Sequence, residues 1–188
     1  SIQLGKRMIS MESSVNIREW SKTKSEDSYK RMASSIIEIG SLPFHICQDP
    51  SMTIIDVVSK ARKWKDKHDI GVLYIDYLQL IGGDNAKDGN REQVVAKISR
   101  RLKQLAKELD IPIIAFSQLS RPRDGVKVNR PILTDLRESG AIEQDADVVL
   151  FLHRWDYYGI MADESGENTK NRLEVVVAKF RNGEVNRI

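Results

Sequence analysis

Apolar positions change their spacing several times along the chain, and each change marks a structural boundary. Over residues 1–40 Leu4, Met8, Ile9, Met11, Val15, Ile17, Trp20, Met32, Ile36, Ile37 and Ile39 recur at intervals suited to amphipathic helices, with a connection around Trp20–Tyr29 and an N-cap at Ser25 or Ser28. The run Phe44-His45-Ile46-Cys47, closed by Gln48-Asp49-Pro50, reads as a short strand and a turn. A helix should begin just after Thr53, with Ile54, Val57, Val58, Ala61 and Trp64 on its apolar face and Asp56 near the positive end of its dipole. The cations Arg62, Lys63, Lys65 and Lys67 crowd its last turns, as expected of a solvated helix end.

Four further apolar runs are spaced as strands. Gly71–Ile81 is apolar around Asp76, and the strand Val72–Ile75 is expected to be buried on both faces. Arg91–Leu109 repeats Val94, Val95, Ile98, Leu102, Leu105, Ala106 and Leu109 at helical intervals, and Ile111–Phe116 follows as a strand ending at Ser117-Gln118. Asp147–His153 and Leu173–Lys179 are the last two strands. The charged connection Leu119–Glu143 precedes the first of these, and the polar excursion Asp156–Asn171 separates the two. Strands alternating with helices predict an α/β fold with a mostly parallel sheet flanked by helices.

Composition narrows the function. A chain of 188 residues with 40% hydrophobic positions fits one domain with one core, and it has no apolar run of about 18 residues for a membrane span. The single cysteine, Cys47, cannot form an internal disulfide, which fits a reducing cytoplasm; an apolar setting makes it an inert thiol. A net charge of +3 is too small to attract nucleic acid in bulk, so any such binding must come from local placement. His45, His68 and His153 lack the spacing of a zinc site, and no G-x-S-x-G elbow occurs.

In an open α/β sheet, ligands gather at the carboxyl ends of strands. Asp76, Gln118 and the pair Lys179 and Arg181 all follow strand runs. A carboxylate after an apolar strand suits Mg²⁺ on a nucleotide phosphate, although on its own it is more often a strand-end cap. The phosphate cradle G-x-x-x-x-G-K-[ST] does not occur in these residues; Gly5-Lys6-Arg7 is its nearest echo.

Several strings fall together in one order: YIDYLQLI (74–81), ISRRLKQLAKELDIPIIAFSQLSR (98–121), RPILTDLRESGAIEQDADVVLFLHR (130–154) and VVVAKFRNG (175–183). In that order they resemble the RecA-like C-terminal motor domain of replicative DNA helicases of the DnaB family. Ile2–Met8 resembles the helix after that family's first motif region, and Trp155-Asp156-Tyr157-Tyr158 resembles part of its Arg-x-Asp-Tyr-Tyr segment. The resemblance implies a RecA-like P-loop NTPase core over residues 1–188, incomplete at its N-terminal edge, with a helical segment at 1–43 and the sheet core at 44–188.

It also implies roles. Asp76 matches the Walker B aspartate that holds Mg²⁺ through water, and Gln118 the glutamine that senses the γ-phosphate of ATP and links it to the DNA loop. Arg137, Glu138 and Gly140 match the loop that contacts single-stranded DNA. Lys179 and Arg181 match the basic pair that reaches the neighbouring subunit's nucleotide. The implied parent is a homo-hexameric, cytoplasmic, ATP-dependent helicase moving 5′-to-3′, with a primase and a helicase loader as partners.

The sequence departs from the family pattern in lacking the phosphate-binding loop and the water-activating glutamate, and in carrying Glu184 where proline is common. The expectation is therefore a piece of a longer subunit, inactive as an ATPase by itself. Another RecA-like recombination or repair ATPase, or a non-catalytic binding module on the same fold, are the alternatives.

Overall fold

The computed structural model describes residues 2–16, 25–82, 91–119, 130–136, 140–163, 165–183 and 185. Its contacts divide the chain into two units, Ser1–Asp49 and Pro50–Ile188.

The first unit is a helix pair, α1 (Ile2–Ser13) and α2 (Glu26–Ser41). Ser25 occupies the N-cap position of α2 but makes no side-chain capping bond; Glu26 and Asp27 in the first turn face the positive end of the dipole. Ser13, Ser28, Met32 and Ser35 are buried. Two of these serines satisfy their hydroxyls within their own helix, Ser13 donating to the Ile9 carbonyl at 2.6 Å and Ser35 to that of Arg31 at 2.9 Å. The strand expected over Phe44–Cys47 does not form. Residues 43–49 are irregular, Phe44 and Ile46 are exposed and Cys47 is only half-buried, because an apolar run becomes a strand only where a ladder takes up its backbone groups.

The second unit begins with α3 (Ile54–His68). Thr53 and Asp56 form a reciprocal capping box, the Asp56 N–H donating to Thr53 Oγ1 at 3.3 Å and the Thr53 N–H to Asp56 Oδ2 at 2.9 Å. Then come β1 (Leu73–Ile75), a 3₁₀ turn at Leu78–Leu80, α4 (Arg91–Leu109) and β2 (Ile113–Ala115). Strands β1 and β2 pair in parallel, Leu73 opposite Ile113 and Ile75 opposite Ala115, with α4 as the crossover. Ile54, Val58 and Ala61 of α3 and Val94, Ile98, Leu102 and Leu105 of α4 bury their apolar stripes against Leu73, Ile75, Leu78, Ile81 and Ile111. Only one face of β1 is covered. Tyr74 is 56% exposed, so the expectation of burial on both faces fails: α3 and α4 supply apolar side chains to the Leu73 and Ile75 face alone.

After a 3₁₀ turn at Leu133–Asp135 come α5 (Gly140–Asp145), β3 (Val148–His153), a further 3₁₀ turn at Asp156–Tyr158 and β4 (Glu174–Phe180). Strand β4 runs antiparallel to β3, from His153 opposite Glu174 to Val148 opposite Phe180. The parallel arrangement thus holds for one of the two strand pairs found among the described residues. The connection between β3 and β4 has no α-helix among its described residues, so the chain doubles back instead of crossing over. Val149 and Phe151 of β3 pack with Leu136, Val176 and Ala178 in a smaller apolar cluster.

Candidate functional site

Parallel pairing places the C-terminal ends of β1 and β2 side by side, and this brings Asp76 and Gln118 to one edge. The ladder extends past the strands: the Phe116 N–H donates to the Ile75 carbonyl at 2.9 Å, and the Leu78 N–H to the Phe116 carbonyl at 2.9 Å. Asp76 is exposed, and its carboxylate has no hydrogen bond or ion pair among the described residues. Among those residues no three His, Cys, Asp or Glu side chains gather as a metal cage. A divalent cation at this edge would rest on Asp76, waters and phosphate oxygens, an arrangement that suits Mg²⁺ and its firmly held hydration shell.

Gln118 is also exposed, and its side chain makes no hydrogen bond among the described residues. Its backbone is held by a residue that sequence reasoning did not single out. Gln79, in the 3₁₀ turn after Asp76, accepts from the Gln118 N–H at 3.3 Å and donates to the Gln118 carbonyl at 3.4 Å and to Ser117 Oγ at 2.9 Å. The Arg91 guanidinium, at the start of α4, donates to the Gln79 carbonyl. The signal was present in YLQLI: an amide in an otherwise apolar run needs partners if it is half-buried.

Lys179 and Arg181 do not join this edge. Because β4 is antiparallel to β3, they lie beside the beginning of β3 and the end of α5. Lys179 Nζ donates to the Glu143 carbonyl and, at 3.5 Å, to that of Gln144. Arg181 donates to the Gln144 carbonyl at 3.2 Å and to Asp147 Oδ1 at 3.3 Å, and its own N–H donates to the Asp147 carbonyl at 2.8 Å. The last carbonyls of a helix lack intrahelical donors and carry partial negative charge, so cations settle there. Asp147 also accepts from Lys103 of α4. That hydrogen bond, aided by the charges of Lys103, Arg181 and Lys179, holds its carboxyl below the usual range.

Gly140 is the first residue of α5, exposed, with open space where a Cβ would stand. Arg137 and Glu138 lie outside the described residues.

Beyond β3, Arg154 forms a two-pronged pair with Asp156 at 3.0 and 2.7 Å; this hydrogen bond and one from the Asn171 N–H hold the Asp156 carboxyl down to about 2. His153 is buried and packs edge-on against Trp155 with centroids 4.5 Å apart. The structure thus makes it a packing residue.

A parallel strand pair joined by a helix, with Asp76 and Gln118 at its C-terminal edge, is an α/β arrangement. Two solved structures share the fold and give its class, a RecA-like ATPase domain. The structure of a DnaB-like replicative helicase and its interactions with primase superposes with a TM-score of 0.86 at 36% identity, over 97% of this chain and 44% of that one. The ATPase domain of G40P also gives 0.86, at 38% identity over 97% and 64%.

The model of the DnaB-like helicase C-terminal domain matches residues 1–188, and the chain belongs to that family. Replicative DNA helicase DnaB of Geobacillus stearothermophilus is 41% identical over 184 residues, 97% of this chain and 39% of the relative. A probable plasmid replicative DNA helicase of Chlamydia psittaci is likewise 41% identical over 184 residues, with the same coverage. The chain therefore spans about two fifths of the length of these curated relatives. No helix among the described residues is long and apolar enough to cross a membrane.

Proposed function

We propose that this domain is the motor part of a ring-shaped replicative DNA helicase, a cytoplasmic homo-hexamer that uses Mg²⁺-ATP to move 5′-to-3′ along single-stranded DNA and open the duplex ahead of it. The observation that carries the reading is the separation of the polar groups into two places. Asp76 and Gln118 share the C-terminal edge of β1 and β2, whereas Lys179 and Arg181 stand at the end of α5. One edge suits a nucleotide held by the domain itself, and the other suits a basic pair that serves a neighbour.

In this reading Asp76 orients the hydrated Mg²⁺, and Gln118 senses the terminal phosphate and links it to the DNA loop. Lys179 and Arg181 stabilise charge that develops on the phosphoryl group in the adjacent site, which in arginine-finger systems is worth on the order of 10³–10⁵ in rate. Bound Mg²⁺-ATP supplies the phosphoryl group whose transfer to water drives the motor. Arg137 and the Gly140 amide contact the DNA backbone, while Glu138 steadies Arg137; such contacts ignore sequence, as a tracking motor requires. Primase and a helicase loader are the proposed protein partners, the first supported by the primase interactions of the solved relative.

Mixed rings test this. In the full-length subunit, Asp76→Ala and Arg181→Ala should each depress ATP turnover by on the order of 10³. Rings assembled from both variants together should regain turnover, since an Arg181→Ala subunit keeps its own Asp76 and receives Arg181 from an Asp76→Ala neighbour. If the rings assemble and mixing restores nothing, the basic pair does not act across the interface.

A further inference from the structure

We infer that Gln79 is a positioning residue for the γ-phosphate sensor, a side-chain rung that continues the β1–β2 ladder where the backbone ladder stops. The inference rests on the reading of Gln118 given above and goes one step beyond it.

Regular pairing ends at Ile75 opposite Ala115, and two more backbone hydrogen bonds, both involving Phe116, carry it one residue further. Regular pairing does not continue, because residues 78–80 turn into a 3₁₀ helix while Ser117-Gln118 lies past the end of β2 with neither helix nor strand. The Gln79 carboxamide fills the gap. Its Oε1 accepts from the Gln118 N–H at 3.3 Å and its Nε2 donates to the Gln118 carbonyl at 3.4 Å, so a primary amide pairs with one residue's backbone as a neighbouring strand would. Its other amide proton goes to Ser117 Oγ at 2.9 Å. The Arg91 guanidinium on the Gln79 carbonyl fixes this turn to α4 in the same way.

The consequence is an asymmetry at residue 118: its backbone is clamped, and its side chain makes no hydrogen bond among the described residues. A sensor needs both, since a side chain that must register the presence of one phosphate group transmits force only from a fixed base. Gln79 also lies three residues after Asp76, so the residue that would orient the cation and the base of the residue that would sense the phosphate are tied by one short segment. Loss of the Gln79 amide leaves Asp76 in place and loosens Gln118. That should weaken the link between phosphate and DNA more than phosphate handling itself, because Gln118 is the member proposed to communicate with the DNA loop.

The test uses the full-length hexamer with Gln79→Met, which keeps the volume and removes the amide, and Ser117→Ala, which removes only the third hydrogen bond. ATP turnover is measured with and without single-stranded DNA. The expected result for Gln79→Met is a loss of about tenfold in the DNA-stimulated rate, with DNA-free turnover and the KM for ATP within about twofold of the parent. Ser117→Ala should fall between the parent and Gln79→Met. Equal loss of both rates, or an unchanged stimulation ratio, overturns the inference; if Gln79→Met does not assemble, an unchanged ratio in Ser117→Ala overturns it alone. Gln118→Ala is run alongside. If that variant keeps full stimulation the reading of Gln118 is wrong, whereas if it loses stimulation and Gln79→Met does not, only the positioning role is wrong.

Discussion

Glu174 should be worth several times as much to stability as an exposed carboxylate engaged in the same chemistry. It opens β4 opposite His153, and its two oxygens are both used: Oε1 accepts from Arg130 Nε at 2.7 Å and Oε2 from the Trp155 indole N–H at 3.1 Å. The Arg130 guanidinium also sits 5.0 Å from the Trp155 ring centroid, within cation–π range. Both side chains of the Arg130–Glu174 pair are only 19% exposed, so each has lost most of its hydration. Removing one partner of a buried pair costs about 3–5 kcal/mol, and a charged hydrogen bond about 1.5–3 kcal/mol. Glu174→Gln keeps one acceptor and loses the charge, which places its cost at about 2 kcal/mol; Glu174→Ala loses both bonds and should cost about 3 kcal/mol. The control is Glu167→Gln at the Arg172 pair, where the side chains are 63% and 58% exposed and the expected cost is below about 0.5 kcal/mol. Urea titration followed by tryptophan emission reads all three, with a double-mutant cycle through Arg130→Met to isolate the pair. A cost for Glu174→Gln no larger than that of Glu167→Gln would refute the argument that burial decides the value of these pairs.

The remaining expectations are as direct. Leu105 on α4 is 1% exposed at the centre of the main cluster, so Leu105→Ala should lower the free energy of unfolding by about 3 kcal/mol, measured as a shift in denaturant midpoint at constant slope. Burial pushes the His153 imidazole below its ordinary 6.5, with Glu174 opposing and Arg130 assisting. The folded state then binds fewer protons than the unfolded state between the folded pKa and 6.5, so stability is full above that window and is lost as pH falls through it, with a slope of at most about 1.4 kcal/mol per pH unit from this group. His153→Phe should flatten that part of the pH profile, and an unchanged profile would show that the imidazole is not the group responsible.

Helices were the most legible part of the sequence. The periodicity of Val94 to Leu109 gives α4 its observed bounds, Arg91–Leu109, and Thr53 with Asp56 marks the start of α3 with the capping box that forms. Strands were legible only in part. Ile111–Phe116 shrinks to Ile113–Ala115, and Phe44–Cys47, which reads much the same, forms no strand. Asp76 and Gln118 could be found because each follows an apolar run, and the structure does bring them together at one edge. Gln79 was hidden within such a run. Lys179 and Arg181 were recognised as a pair, but their contacts with α5 depend on the direction of β4.

By itself, then, the sequence determined the bounds of α4 and the start of α3, which stripe of each is apolar, the family to which the chain belongs, and which polar residues end the strand runs, while α5 (Gly140–Asp145) lay partly inside the expected connection Leu119–Glu143. These follow from interactions within a few residues, or from motif order, and both are written along the chain. The tertiary structure alone decided that β4 turns back along β3, that Tyr74 stays exposed, that Gln79 grips Gln118 across 39 positions, and that the basic pair rests on the carbonyls of α5. Each of these depends on which distant backbone groups find one another, and hydrogen-bond pairing between remote segments leaves no periodic mark in either of them.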